Sequence, residues 1–202
     1  MDTINREKML KALKGFRTVD KELISSYQEG YIGKNVYKVT LEDGSSRRVE
    51  EITKRGVPGD AAVIIPITTD GNVVMVVQSR PNTKETVSVE LPAGMVDPGE
   101  DHIVAAAREL KEETGYECES IYELEAHYQD QGCSAAIIRT YVATGCKKVA
   151  EQSLDSDEHL DFIELSYDTV LDMVMSSDVN KVGINDAGSK LAFMNYVIKN
   201  NK

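Results

Sequence analysis

The segment GMVDPGEDHIVAAARELKEETG, residues 94–115, decides the fold that we predict for this chain. Its second half is rich in alanine, leucine, glutamate and lysine, which have high helix propensity. Gly115 follows this run and is a typical helix stop, because glycine readily adopts the left-handed conformation that ends many helices. The two glycines and the proline within residues 94–100 disfavour regular structure. We therefore predict a loop over 94–100 that leads into a helix over 101–113.

Three glutamates share one face of this predicted helix. At about 100° per residue, Glu109, Glu112 and Glu113 lie within an arc of about 100°. Carboxylates roughly 4 Å apart repel each other by about 4 kcal/mol at an effective dielectric constant near 20. Mg²⁺ or Mn²⁺ would relieve this repulsion, since both prefer carboxylate oxygens and share them with phosphates. Arg108 is spaced to form an ion pair with Glu112, and Glu100 adds a further carboxylate across the glycine loop.

Strand-like and helix-like runs alternate on both sides of this segment. Residues 61–67 are a dense β-branched run, typical of a strand buried on both faces. A turn at 69–72 leads to a return strand over 73–78, which predicts a hairpin. Further strands are predicted at 86–91, 120–128, 136–143 and 162–165, and further helices at 167–175 and 186–199. Interleaved strands and helices indicate an α+β sandwich of helix, sheet and helix layers.

The first 58 residues have a different character. A helix is predicted over 4–15, and strand-forming residues dominate 27–49, with a turn at 42–44. Residues 56–59, Gly-Val-Pro-Gly, then interrupt the pattern. We therefore divide the chain into a small β-rich N-terminal subdomain, residues 1–58, and a main domain, residues 59–202.

The composition argues against several classes of protein. The 34 acidic and 23 basic residues give a net charge of −11, which disfavours binding to nucleic acid or to an anionic membrane surface. The longest apolar runs are too short to span a bilayer, and the charged first 17 residues do not resemble a signal peptide. The three cysteines have the spacing of neither a disulfide framework nor a zinc site. We expect reduced thiols and a cytoplasmic protein.

The gapped pattern within residues 94–115 resembles the Nudix box, G-x5-E-x7-R-E-U-x-E-E-x-G-U, in which U is a bulky aliphatic residue. Gly94, Glu100, residues 108–113 and Gly115 match the pattern, whereas Tyr116 stands at the final aliphatic position. The resemblance implies a Nudix-like α/β/α sandwich with a mixed β-sheet. It also implies metal-dependent hydrolysis of the pyrophosphate bond in a nucleoside diphosphate linked to another moiety, with Mg²⁺, or alternatively Mn²⁺, as cofactor.

The same resemblance implies roles for individual residues of the box. Glu109 and Glu113 would be the principal metal ligands, with Glu112 and the carbonyl oxygen of Ala93 contributing. Arg108 would orient the glutamates, so that Arg108 and Glu112 belong to the catalytic machinery. Because a bound metal neutralises the diphosphate and lowers the pKa of water, no covalent nucleophile is required.

Residues 90–94, Glu-Leu-Pro-Ala-Gly, look like the ADP-ribose pyrophosphatase branch of the family. The likeness implies that ADP-ribose is split into AMP and ribose 5-phosphate. It implies substrate contacts for Arg80, Glu90, Gly94 and Gly132. Gln131 stands where this branch often has proline, which leaves other substrates open: another nucleotide sugar, a dinucleoside polyphosphate or NADH.

The resemblance also implies an oligomer. In the ADP-ribose branch the N-terminal segment commonly exchanges between protomers, and both chains form each substrate site. We therefore expect a homodimer through residues 1–58, with Arg55, or alternatively Arg48, reaching the substrate of the partner chain.

A general base is expected from a later loop. The acidic run at residues 155–158 is the best placed, and within it Glu158 is the first choice, with Glu151 second. Without the box, the same run is typical of an ordinary solvated loop.

Two functions of other classes remain open at this point. A non-catalytic nucleotide sensor would use the same fold only for binding, and degraded box glutamates would favour it, but none is degraded here. A protein-interaction module built on the acidic surface would need no metal. It also predicts no small-molecule turnover. The bare glutamate cluster is by itself typical of a solvated helix face.

Overall fold

The computed structural model describes residues 3–156, 158–176 and 178–200. Two compact units make up this part of the chain. The first contains the residues up to Gly59 together with residues 130–135, and the second contains residues 60–129 and those from Ala136 onward. Residues 130–135 thus group with the N-terminal unit, whereas the sequence division assigned them to the main domain. Within the described ranges, no helix is long and apolar enough to cross a membrane.

The first unit is an antiparallel sheet preceded by a helix. Its elements are α1 (Thr3–Leu13), β1 (Thr18–Glu29), β2 (Ile32–Leu41) and β3 (Ser46–Lys54). The sheet order is β1-β2-β3. The predicted turn at 42–44 joins β2 to β3, and Gly44 supplies its positive φ of 81°. The sequence predicts only the end of β1, because all twelve of its residues are exposed and no buried face imposes a hydrophobic pattern.

The second unit is built on an eight-stranded mixed sheet with three helices. Its elements are β4 (Ala61–Thr68), β5 (Asn72–Ser79), β6 (Val87–Glu90), β7 (Ala93–Met95), α2 (His102–Thr114), β8 (Tyr116–Glu117), β9 (Ser120–Tyr128), β10 (Ile137–Lys148), β11 (Leu160–Ser166), α3 (Tyr167–Met175) and α4 (Ala187–Asn200). The strand order is β11-β5-β4-β10-β8, with β6 beside β5, β7 beside β4 and β9 beside β10. The β4–β10 pair is parallel, whereas β5 pairs with β4 and β11 in antiparallel fashion.

Strand β4 is buried on both faces, as its β-branched run predicts. Ala62 and Ile64 belong to the core that includes Leu110 of α2. Val63 and Ile65, which point the other way, belong to the core that α3 and α4 cover. The second unit is therefore the predicted α+β sandwich, with helices on both faces of a mixed sheet, and the N-terminal β-rich segment forms a separate small sheet.

Some strand boundaries differ from the prediction because pairing with distant residues extends a strand. β10 continues to Lys148 rather than ending at residue 143, since its last residues pair with β8. Gly94 and Met95, predicted as loop, form part of β7 by pairing with Ala62 and Ala61 of β4. This pairing brings the start of the box segment onto the sheet.

Candidate active site

Helix α2 is fixed at both ends and along one side. Asp101 caps its start, where the Oδ1 atom accepts a hydrogen bond from the backbone N–H of Ile103 at 3.1 Å. Gly115 ends the helix in the left-handed conformation, with a φ of 75°. Ala106 and Leu110 are fully buried against the sheet. These contacts determine where the glutamates of the helix lie.

The carboxylate of Glu109 lies directly against β7. A Cβ atom on Gly94 would lie 2.0 Å from the carboxyl carbon of Glu109, so only glycine leaves room for this carboxylate. Glu109 is 8% exposed, and burial raises its pKa. Gly94, which the family resemblance assigns to substrate, thus also makes space for a side chain of α2.

Glu113 is buried more deeply, at 3% exposed. Its Oε2 atom accepts a hydrogen bond from the backbone N–H of Ala93 at 2.9 Å. Burial holds the pKa of Glu113 well above its usual range, and the negative charges of Glu109, Glu158 and Glu90 raise this pKa further. Three other carboxylates are therefore close enough to repel that of Glu113, a field that favours a bound cation.

Arg108 connects three glutamates of the box. Its Nε and Nη2 atoms donate to the two carboxylate oxygens of Glu100, each at 3.0 Å. Its Nη1 atom donates to Glu109 at 2.8 Å and to Glu112 at 2.9 Å, and Nη2 also donates to the carbonyl oxygen of Met95 at 3.1 Å. The ion pair predicted between Arg108 and Glu112 is thus present, and one guanidinium group fixes the direction of three carboxylates.

The residues assigned to a metal by resemblance are all oxygen donors, which suits Mg²⁺ or Mn²⁺. Two of them, Glu109 and Glu113, are buried carboxylates that a cation would stabilise. Within the described residues, however, no three His, Cys, Asp or Glu side chains are already grouped so as to hold a metal ion. Arg108 already donates hydrogen bonds to one carboxylate oxygen each of Glu109 and Glu112. The donor chemistry fits the ion, and the ligand assignment stays a prediction.

Arg80 and Glu90, both expected to contact substrate, are bound to each other. The Nε and Nη2 atoms of Arg80 donate to the two oxygens of Glu90 at 2.8 and 2.7 Å. Gln78 adds a third hydrogen bond to Glu90 at 3.0 Å. Glu90 is buried, whereas the Arg80 side chain is 47% exposed. The buried carboxylate therefore fixes a guanidinium group that still reaches solvent.

The loop after β10 is attached to the end of α2. The side chain of Gln152 donates a hydrogen bond to the carbonyl oxygen of Glu113 at 2.6 Å. The backbone N–H of Ser153 donates one to the carbonyl oxygen of Glu112 at 2.8 Å. Both carbonyl groups belong to the last turn of the helix, which lacks internal partners. Glu151, the second candidate for general base, is on this loop with a side chain that is 94% exposed.

Glu158, the first candidate for general base, lies farther along the same loop. Its Oε2 atom accepts a hydrogen bond from the backbone N–H of Asp155 at 2.9 Å. Its negative charge raises the pKa of both Glu109 and Glu113, so the three carboxylates interact. Asp157, in the same acidic run, lies outside the described residues.

The remaining predicted site residues belong to the first unit. Arg55 follows β3 with a φ of 50° and lies over the ring of Tyr31, 5.7 Å from its centroid. Arg48 is on the exposed part of β3, and Gly132 is in the 130–135 segment. Their substrate contacts stay predictions.

Sequence reasoning assigned no role to Asp186, Gln152 or Ser153. Asp186 precedes α4 and is close enough to Glu90 and Arg80 for both charges to affect its pKa, which burial raises. No local pattern marks Gln152 and Ser153, because each binds a helix distant from it in the sequence. Asp186 stands directly before α4, a position typical of a helix N-cap.

The comparison with known families agrees with this geometry. The family model of the NUDIX domain matches residues 57–180, more than half of the chain. This chain belongs to the Nudix family. The match covers the box helix, the strands around it and the loop that carries Glu158.

Two curated relatives and one solved structure extend the comparison. The chain is 33% identical over 164 residues to the ADP-ribose pyrophosphatase of Bacillus subtilis, covering 81% of this chain and 85% of that protein. It is 40% identical over 137 residues to the methanol dehydrogenase activator of Bacillus methanolicus, covering 67% and 71%. The crystal structure of an ADP compounds hydrolase superposes with a TM-score of 0.73 at 19% identity, covering 92% of this chain and 96% of that one. The protein is thus a Nudix pyrophosphohydrolase that is similar to ADP-ribose pyrophosphatases.

Proposed function

We propose that this Nudix hydrolase splits ADP-ribose into AMP and ribose 5-phosphate, with Mg²⁺ as its cofactor and Mn²⁺ as an alternative. The observation that carries the proposal is the buried carboxylate pair, Glu109 and Glu113, seated against β7 beside Arg108. The identity to the Bacillus subtilis ADP-ribose pyrophosphatase, over 81% of this chain, supports the choice of substrate.

In this proposal the metal is held by Glu109, Glu112, Glu113 and the carbonyl oxygen of Ala93. When bound, a divalent cation neutralises the diphosphate and lowers the pKa of a water molecule. Arg108 keeps the carboxylates of Glu109 and Glu112 oriented through its two Nη1 contacts. The Ala93 backbone does the same for Glu113 through its N–H group.

Glu158 is the proposed general base. Its carboxylate accepts a proton from the attacking water, whose oxygen forms a bond to one phosphorus while the bond from that phosphorus to the bridging oxygen breaks. The bridging oxygen leaves with the other phosphate, so each product carries one phosphate group. The electrostatic interaction of Glu158 with Glu109 and Glu113 supports this assignment.

Arg80 and Glu90 are the proposed substrate contacts in the second unit. The partly exposed guanidinium of Arg80 suits a phosphate oxygen or an aromatic base, and Glu90 keeps it in place. Gly94 supports the same region by leaving space for Glu109.

The test is hydrolysis of ADP-ribose with Mg²⁺ or Mn²⁺, followed by identification of both products. We expect AMP and ribose 5-phosphate, and no turnover after chelation of the metal. Other nucleotide sugars, dinucleoside polyphosphates and NADH are assayed in parallel. If one of these compounds is hydrolysed faster than ADP-ribose, that compound becomes the proposed substrate. Nucleotide binding without any hydrolysis would favour the non-catalytic nucleotide sensor.

The variant Glu113→Gln tests the metal-ligand role. We expect its hydrolysis rate to fall by about two orders of magnitude or more, because an amide is a poorer metal ligand than a carboxylate. Its amide oxygen can still accept the hydrogen bond from Ala93, so the fold should persist. Glu117→Gln is the matched control, since Glu117 follows the same helix and pairs with Lys111. Unchanged turnover in Glu113→Gln would refute the metal-ligand role.

A homodimer formed through the first unit is also part of this proposal. Every residue of β1 is exposed, including Val19, Leu23, Ile24 and Tyr27, each more than half exposed. An edge strand with exposed apolar side chains is a typical protein interface. A second copy of the chain is the proposed partner, with Arg55 reaching the partner's substrate.

A second candidate function is activation of a dehydrogenase. The 40% identity to the Bacillus methanolicus methanol dehydrogenase activator favours it. Adding this protein to a methanol dehydrogenase, with and without Mg²⁺, would test it. A rise in the dehydrogenase rate that Glu113→Gln abolishes would connect this effect to hydrolysis.

We also propose that the enzyme works in the cytoplasm. Cys118, Cys133 and Cys146 are all free thiols, as expected in a reducing compartment. Cell fractionation followed by detection of the protein would test this location.

A further inference from the structure

Asp186 makes its side-chain contact at the start of α4. Its Oδ2 atom accepts a hydrogen bond from the backbone N–H of Ser189 at 2.7 Å, the contact of a helix N-cap. Its other oxygen, Oδ1, is buried and has no hydrogen-bond partner within the described part of the chain. The contact with Ser189 is therefore what holds this carboxylate.

Ser189 in turn holds the strand end that carries Glu90. The Oγ atom of Ser189, which is 2% exposed, accepts a hydrogen bond from the backbone N–H of Leu91 at 2.9 Å. Leu91 directly follows Glu90 and is itself buried. A displacement of Ser189 would leave the Leu91 N–H buried without a partner, so the position of Leu91 depends on this contact.

The contacts continue from Glu90 to the exposed guanidinium. Glu90 receives two hydrogen bonds from Arg80, and Arg80 is the partly exposed member of the pair. Hydrogen bonds therefore connect Asp186 to Ser189 and Ser189 to Leu91, the peptide bond connects Leu91 to Glu90, and hydrogen bonds connect Glu90 to Arg80. Burying the Oδ1 atom of Asp186 without a hydrogen-bond partner costs free energy. A serine could cap α4 without burying a carboxylate near Glu90, so capping alone does not explain an aspartate here.

We propose that Asp186 is a positioning residue of the active site: with Ser189 it sets the place of Glu90 and, through Glu90, of the Arg80 guanidinium that binds substrate. The inference rests on the proposed substrate contact of Arg80. It predicts that loss of Asp186 weakens substrate binding more than it slows the chemical step.

The variants Asp186→Ala and Ser189→Ala test this inference through KM and kcat for ADP-ribose. We expect KM to rise about tenfold in each while kcat changes less than about threefold, in line with the free energy of one cap for Asp186→Ala and of one buried hydrogen bond for Ser189→Ala. Asp186→Asn should restore KM, because asparagine caps helices as well as aspartate does. Ser166→Ala is the matched control: Ser166 caps α3 through Thr169, and its loss should leave KM unchanged.

A double-mutant cycle connects the effect to Arg80. In an Arg80→Ala background, Ser189→Ala should raise KM less than about twofold, since its effect passes through the missing side chain. The inference would be overturned if the effects of Arg80→Ala and Ser189→Ala on KM were fully additive. It would also be overturned if Ser166→Ala raised KM as much as Ser189→Ala does. If Asp186→Ala does not fold, Ser189→Ala and its double-mutant cycle with Arg80→Ala carry the test.

Two further measurements separate this inference from the proposed function. Hydrogen exchange of the Leu91 amide should accelerate in Asp186→Ala and not in Ser166→Ala, whatever the substrate is. If the wild-type enzyme does not cleave ADP-ribose, the proposed substrate is wrong, and calorimetric titration with AMP takes the place of KM. Faster Leu91 exchange with unchanged AMP affinity would show a structural cap alone and overturn the positioning role.

Discussion

Gly94 and Glu109 show how a single missing side chain shapes this site. The carboxyl group of Glu109 occupies the space that a Cβ atom of residue 94 would fill. This close approach lets a helix carboxylate lie against β7, next to the Ala93 N–H that holds Glu113. A glycine in the box is therefore needed here for packing between a helix and a strand, not for a turn.

The variant Gly94→Ala tests this contact. We expect the hydrolysis rate to fall about a hundredfold, because a displacement of about 1 Å at a catalytic group has that effect. The free energy of unfolding should fall by about 1–3 kcal/mol, as is typical of overpacking. Gly183→Ala is the control, since a Cβ atom there meets nothing within 4 Å. Equal activity of the two variants would contradict the proposed role of Gly94.

At the scale of elements, the end of α2 positions the loop that carries Glu158. Gly115 has a φ of 75°, and a Cβ atom there would lie 2.1 Å from the carbonyl oxygen of Ala150. The carbonyl oxygen of Gly115 also accepts hydrogen bonds from the N–H groups of Val149 and Ala150. The final glycine of the box therefore stops the helix and also lets the loop pass close to it.

The variant Gly115→Ala should disturb both functions. The left-handed backbone costs any other residue about 1–2 kcal/mol, and the clash with Ala150 should add about 1–3 kcal/mol. Gly71→Ala is a matched control with a φ of 83° and no neighbour within 4 Å of the new Cβ atom. Chemical denaturation should rank Gly115→Ala as the less stable variant, and only Gly115→Ala should lower kcat. If both variants lose the same stability, the close approach of the loop is unimportant.

For the whole molecule, the net charge of −11 has a local explanation in part. Glu113 interacts with Glu90, Glu109 and Glu158, and Glu109 also interacts with Glu158. Arg108 binds Glu109, and Arg80 binds Glu90. Such a cluster repels a diphosphate until a cation binds, after which it attracts one. The acidic composition is therefore compatible with an anionic substrate.

The proposed homodimer makes a prediction about the assembled molecule. Light scattering should give twice the chain mass of 22.3 kDa for the wild type. Replacing both Leu23 and Ile24 by lysine should yield the monomer, since both side chains are more than half exposed and two new charges on the edge strand β1 would oppose apolar pairing with a second copy. Tyr122→Lys, at an exposed position of β9, should remain dimeric. A monomeric wild type, or a dimeric double variant with an unchanged fold, would refute the interface.

The sequence alone was sufficient for the features that depend on local spacing. It predicted α2, α3, the β4–β5 hairpin and the ion pair between Arg108 and Glu112, because hydrophobic periodicity, turn residues and helical geometry act over a few residues. It also identified the family, since the box is a contiguous pattern. It predicted only the end of β1, because an exposed strand has no buried face to impose a hydrophobic pattern.

Only the tertiary structure decided which distant residues meet. Gly94 leaves room for Glu109, Glu90 binds Arg80, and Ser189 holds Leu91 from 98 residues away. Sequence patterns could name several of these residues as candidates, but not these pairs, because each contact depends on how the helices pack on the sheet. The spacing of the glutamates indicated the chemistry of the site. The burial of Glu109 and Glu113, and the rise of their pKa values, depend on how α2 packs on the sheet.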